Sequence, residues 1–259
     1  DFVGIYFDGI DHFCHAFMKY HPPKLKGIPN DLFNNYKEII VSAYRYHDMM
    51  LERYLKLAGE DATIILISDH GFHPDHLRPT KLPQEPAAPA LEHSPYGIIC
   101  MKGPGIKKDE RIYGANVLDI TPTILSMFGL PVAKDFDGKT LLSAFEEELN
   151  IEQISSWEDI PGECGSHPKN KIESAETSNM VMEQLIQLGY IERPDKDNKT
   201  AIKKTNAENN FYLSRSYLDG GKIHEAIKIL ENLHKEYPNQ TRYSLKLATS
   251  YQNVGRISD

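Results

Sequence analysis

Apolar positions along the first 145 residues fall in blocks whose spacing switches between strand-like and helical. Residues 2–7 (FVGIYF) form a short apolar run that stops at Asp8 and reads as a buried strand. Pro29-Asn30-Asp31 then predicts a long helix, with Asn30 or Asp31 as its N-cap and Gly59 just past its end. Leu32, Tyr36, Ile39, Ile40, Ala43, Met50, Tyr54 and Leu55 lie close to one helical face. Residues 62–67 (ATIILI) are β-branched without alternation, the pattern of a strand covered on both faces in a parallel sheet. Residues 74–95 hold six prolines and no period, so they predict a long loop. A third strand is expected over 96–101 (YGIICM), followed by the turn Gly103-Pro104-Gly105. Thr121-Pro122 opens a helix through Met127 that stops at Gly129, before Pro131. Strands alternating with helices predict an α/β layer fold with a mostly parallel sheet and helices on both faces. Sites in such sheets lie beyond the carboxyl ends of the strands.

The pattern changes twice further on. From 146 to 206 the chain is polar, with one helical segment at Met180–Leu188. In the last fifty residues Leu213, Tyr217 and Gly221 recur 34 positions later as Leu247, Tyr251 and Gly255, with Ser214 matched by Ala248. Ala226 and Pro238 add a small residue and a closing proline at the expected places. Residues 207–259 therefore resemble tetratricopeptide repeats, one repeat and half of a second, although the leading Trp is lacking. The resemblance implies an all-α tail that offers a face to a protein partner. The expected organisation is 1–145, a polar linker over 146–206, and the helical tail over 207–259.

Composition narrows the function classes. The chain has 259 residues, 40% of them hydrophobic, which is enough to bury a core. A formal net charge of -8 and the absence of a basic stripe argue against a nucleic-acid surface. No apolar run has the length of a transmembrane span. Cys14, Cys100 and Cys164 are odd in number and widely spaced, so neither a disulfide framework nor a thiolate zinc site is expected. Asp1-Phe-Val-Gly-Ile-Tyr-Phe has no initiator Met and no signal-like run, and reads as a strand already under way, inside a domain.

Ligand-type residues collect at the ends of two of the expected strands and at the close of the Pro-rich loop. Asp11 and His15 are four apart, so both face one point if the chain is helical there. Asp69 and His70 end the strand over 62–67, and His93 lies near the end of the loop. Carboxylate oxygen with neutral imidazole is the mixed ligand set that zinc and similar divalent ions accept. Each pair alone is weak, but three groups in this arrangement are much stronger. His12 is expected to lie beside the site or at the surface, and His73, His76 and Asp75 to be exposed loop residues. Cys14 is expected to be a small buried side chain.

Four stretches, YFDGIDHFCH (6–15), SDHGF (68–72), EHSPYGIICMKGPGI (92–106) and NVLDITPTILSMFGLP (116–131), together resemble the alkaline phosphatase superfamily. The similarity is greatest to its type I phosphodiesterase and nucleotide pyrophosphatase branch. It covers about residues 1–145, the C-terminal part of such a domain, so the alkaline-phosphatase-like fold is expected to be incomplete. The resemblance implies two divalent metal ions, usually zinc, and a phosphate-ester substrate. Asp11, His15 and His93 would hold one metal, and Asp69 and His70 the other, completed by an aspartate early in the domain. The nucleophile, a Thr or Ser, would also lie upstream of residue 1. Ser68, Thr80 and Ser94 do not match its position, so residues 1–259 are expected to be a fragment with little activity of its own. The resemblance also implies an extracytoplasmic setting, with any export signal upstream. The alternatives are a sulfatase-type or phosphomonoesterase member of the superfamily, or a non-catalytic interaction protein built on the repeats.

Overall fold

The computed structural model describes residues 1–82, 88–162, 180, 182, 183, 186 and 198–256. The chain divides into two compact units, Asp1–Glu192 and Arg193–Asp259. Cys164 and most of the helical segment expected at 180–188 lie outside the described residues.

In the first unit, helix α1 (Gly9–Phe17) carries Asp11 in its first turn, where an acidic side chain suits the helix dipole. Its inner face is Ile10, Cys14 and Phe17, one helical stripe that packs with Met18, Ile40 and Phe72. Two helices follow, α2 (Asn30–Tyr36) and α3 (Ile39–Ala58). The single long helix expected from Asn30 to Ala58 is thus broken at Lys37-Glu38. From α3, Ile40 and Ala43 are buried, and Ile40 packs directly in the α1 cluster. At the other end Gly59 caps α3, its N–H bonded to Leu55 O.

Strand β1 (Ile64–Ser68) pairs antiparallel with β4 (Ile98–Lys102), and β2 (Gly71–Phe72) pairs antiparallel with β3 (His93–Ser94). Only β5 (Val132–Ala133) with β6 (Gln153–Ile154) is parallel among the described pairs. These small two-stranded sheets replace the mostly parallel, helix-covered sheet expected from the sequence. The reason lies in the connection: a parallel pair needs a long crossover, commonly a helix, and the described parts of 73–92 offer only one short 3-10 turn. The chain therefore returns on the same edge. Residues 2–7 form no strand, and Leu66 and Ile67 are exposed rather than covered on both faces. Apolarity marks what a residue tolerates; it does not supply the layer that covers it.

The two antiparallel ladders are not in one register. Ser68 faces Ile98 while Gly71 faces Ser94, so two residues on the first side oppose three on the second. This extra residue is a bulge, and it bends the chain at the point that presents Asp69 and His70. Gly97 makes it possible: a Cβ there would lie 1.8 Å from Ser68 O. Further on, helix α4 (Ile120–Met127) is preceded by a short 3-10 turn with an Asn116–Asp119 capping box, so the helix starts one residue before the expected Thr121 cap. It ends where expected, at Gly129 with φ of +66°. A second small core joins Ile106, Ala144 and Phe145 with Met101 and Met127.

Among its described residues the second unit has three helices, α5 (Asn198–Asp219), α6 (Ile223–Glu236) and α7 (Thr241–Asn253). Their breaks fall at Gly220–Lys222 and Tyr237–Gln240, beside Gly221 and Pro238. Phe211 from α5, Ile227, Leu230 and Leu233 from α6, and Tyr243 and Leu247 from α7 form one buried cluster. Glu208 of α5 accepts hydrogen bonds from Arg242 and Tyr243 of α7, and Arg242 also lies over the Phe211 ring.

Candidate metal centre

Three elements of the first unit deliver the polar groups. Helical spacing places Asp11 and His15 on one face of α1, with Asp11 Oδ1 3.5 Å from His15 Nε2. The bulge after β1 brings His70 Nε2 to 3.8 Å from the same oxygen, and β3 brings His93 Nε2 to 3.8 Å. His93 Nε2 and His15 Nε2 are 3.0 Å apart. The His70 and His93 rings stack at 3.7 Å with 12° between their planes. Asp11, His70 and His93 each offer a ligand atom, and those atoms lie within 4.8 Å of one another.

Asp69 is placed differently. Its side chain is 79% exposed, with Oδ1 accepting the His70 backbone N–H at 3.1 Å and Oδ2 3.9 Å from His70 Nε2. It borders the cluster without entering it. Ser68 Oγ donates to His70 O at 2.5 Å, which shapes the turn. Thr80 is exposed in its loop, and half-buried Ser94 lies in β3 opposite Gly71. His12 lies 4.0 Å from Asp8, one turn back on α1, and Cys14 faces the core.

Hydrogen bonds fix two ring tautomers. A carbonyl and a carboxylate can only accept here, so His70 Nδ1 donates to Gly71 O at 3.2 Å and His15 Nδ1 donates to Glu92 Oε2 at 2.6 Å. Both rings then turn Nε2 towards Asp11. Phe72 packs edge-on against all three imidazoles, at 4.9 Å from His15, 5.7 Å from His70 and 4.9 Å from His93. Because Phe72 also packs on the Cys14–Met18–Ile40 cluster, it ties the rings to the hydrophobic core. Neither Glu92 nor Phe72 stands out as a site residue in the sequence. The available signal was adjacency, since each neighbours a motif residue in EHS and SDHGF.

Charge is distributed unevenly over the cluster. Burial by itself would raise the Asp11 pKa, but the adjacent His15, His93 and His70 outweigh it and hold the group low. For His15, burial opposes the charged form, yet Asp11 and Glu92 raise its pKa to about 9. Burial and the neighbouring His70 and His15 lower that of His93 to about 4, against the pull of Asp11 and Asp69. The 3.0 Å contact between His15 Nε2 and His93 Nε2 needs one proton between the two nitrogens. Asp11 Oδ1, meanwhile, is buried with no hydrogen bond. A desolvated carboxylate oxygen ringed by three Nε2 atoms at lengths too great for hydrogen bonding fits a divalent cation.

Residues 1–85 match the family model of type I phosphodiesterase / nucleotide pyrophosphatase. That segment is the first third of the chain and includes Asp11, His15, Asp69 and His70; His93 lies beyond it. No curated protein and no solved structure matches the chain significantly. The match supports an alkaline-phosphatase-like relationship, in a family that hydrolyses phosphate esters and is typically metal-dependent. Among the described residues no helix is long and apolar enough to cross a membrane.

Proposed function

We propose that residues 1–145 are part of a metal-dependent phosphohydrolase that cleaves phosphodiester or nucleotide pyrophosphate bonds. The observation that carries this reading is the buried Asp11 Oδ1, without a hydrogen bond and surrounded by His15, His70 and His93. Asp11, His15 and His93 would hold one divalent ion, and Asp69 and His70 would contribute to a second. Such ions, most readily zinc, supply positive charge to a phosphoryl group and ease deprotonation of an attacking oxygen. The chain's own part is to hold the ligands. Phe72 backs the three rings, Gly71 O and Glu92 orient two of them, and the bulge at Gly97 sets the turn carrying Asp69 and His70. Ser68 Oγ bonds the backbone of the turn, and the resemblance puts the nucleophile, a Thr or Ser, upstream of residue 1.

The family match to 1–85 favours this chemistry over a purely structural histidine cluster. The stretch 146–206 is not simply a linker, since β6 pairs with β5 and α5 begins at Asn198. We read 207–259 as a tetratricopeptide-like module for a protein partner. Contacts at the repeat distance support that: Arg242 bonds Glu208 and the Tyr237 hydroxyl bonds Lys203 O, each 34 residues apart.

Calorimetric titration of chelator-treated protein with zinc tests the site. Uptake is expected, and Asp11→Asn or His93→Ala should each weaken it by at least about tenfold, or about 1.4 kcal/mol. With the missing nucleophile supplied by a longer chain, an activated phosphodiester should be hydrolysed and the same substitutions should abolish turnover. Zinc binding that neither substitution alters would remove the site from consideration.

A further inference from the structure

Glu92 ends the 3-10 turn Ala88–Glu92, directly before the ligand-type His93. Its backbone O accepts the His73 N–H at 3.0 Å, which pins the residue to the other side of the loop. Its side chain is only 8% exposed, and that of His15 only 5%. A carboxylate taken this far from water is costly unless it is hydrogen-bonded or paired. Here it meets His15 Nδ1 at 2.6 Å, on the face of the ring opposite Asp11 and His93.

We propose that Glu92 is a positioning residue for the metal centre: its carboxylate holds the His15 ring through Nδ1–H so that Nε2 is presented to a divalent cation. The inference rests on the metal-site reading above and deepens it. Two geometric facts carry it. First, an imidazole has two nitrogens, and the one held by a buried acceptor is no longer available as a ligand. Second, the remaining nitrogen of His15 points at the desolvated Asp11 Oδ1 and the His93 Nε2. An acceptor behind a ligand imidazole fixes the tautomer and makes the ligand more basic, and its loss commonly weakens binding by about 10- to 100-fold. The dipeptide Glu92-His93 would then serve one centre twice, with His93 as a ligand and Glu92 behind another. Glu92 itself stays outside the ligand set, because its oxygen is engaged by His15.

The test measures zinc affinity of chelator-treated protein by competition with a chromophoric chelator. Glu92→Gln keeps an acceptor but loses the charge, and is expected to bind about 10-fold more weakly; Glu92→Leu loses both and should bind about 100-fold more weakly. In a His15→Ala background, either Glu92 substitution should change affinity by less than about twofold, because the effect passes through His15. Nitrogen-15 spectra of the zinc-bound protein should show His15 with a proton on Nδ1 and none on Nε2, and Glu92→Leu should lose that signature. Circular dichroism separates these effects from unfolding, and Glu92→Gln serves if Glu92→Leu does not fold. Equal losses with and without His15 would make Glu92 a ligand or a scaffold residue and overturn the proposal. So would affinity unchanged in Glu92→Leu with the tautomer retained. If the unsubstituted protein takes up no zinc, the metal-site reading falls and this inference with it, an outcome distinct from the other two.

Discussion

Asp11 Oδ1 has three Nε2 atoms within 3.8 Å and no hydrogen bond, whereas Asp69, next to His70, is mostly in water. That contrast separates two carboxylates which look equivalent in the sequence. An exposed carboxylate keeps its hydration and its rotamer freedom, so recruiting it to a metal costs more than using one already desolvated and held. Zinc titration is therefore expected to show one tight and one weaker equivalent. Asp69→Asn should diminish the weaker equivalent and leave the tight one within about twofold, while Asp11→Asn removes the tight one. Equal loss of both equivalents from Asp69→Asn would mean that the two positions are not distinct. The four-residue spacing of Asp11 and His15 was legible because a helix converts spacing directly into direction. Glu92 was not, because in a loop nothing in the sequence says which way a side chain turns.

At the scale of elements, the bulge between the two ladders sets the turn that holds Asp69 and His70, and Gly97 is its tightest point. Its hypothetical Cβ would lie 1.8 Å from Ser68 O and 2.7 Å from Ser68 C, both backbone atoms that no rotamer change can move aside. Gly97→Ala should therefore destabilise the first unit by about 3 kcal/mol, and it should weaken zinc binding by displacing the turn. Gly4→Ala, whose Cβ would meet only the Phe2 side chain at 3.8 Å, is the control and should be neutral in both respects. Denaturant unfolding and zinc titration of both variants check this; a silent Gly97→Ala would show that the close approach relaxes freely. Element positions were largely readable here: β1 and β4 lie within two residues of the expected strands, and α4 ends where its Gly and Pro predict. Strand direction was not readable. An apolar run such as ATIILI fits a parallel or an antiparallel neighbour equally, and the connection decides. Nor did the helical period reveal the break at Lys37-Glu38, since Tyr36, Ile39 and Ile40 preserve the apolar stripe across it.

At the scale of the whole molecule, two units with separate cores carry two kinds of chemistry. The ligand cluster belongs to the first, and the described part of the second is helical, with Leu213 and Tyr217 recurring 34 positions later in its sequence as Leu247 and Tyr251. The offset in sequence is not matched by equal burial, because Leu213 is exposed while Leu247 is buried; the core of this unit comes from all three helices together. Leu230 shows this: it lies on α6 between Phe211 of α5 and Leu247 of α7, and it is fully buried. A segment spanning 193–259 should accordingly fold alone as a helical unit, with the modest stability of a small domain. Leu230→Ala should cost it about 3 kcal/mol through the cavity it leaves, enough to lower its melting temperature by at least about 10 °C. Zinc should leave that melt unchanged, because Asp11, His15, His70 and His93 are all in the other unit. Far-ultraviolet circular dichroism of the excised segment, with and without the substitution, measures both effects. A segment that is unfolded by itself, or one that tolerates Leu230→Ala without loss, would show that the cluster formed by α5, α6 and α7 is not what stabilises it.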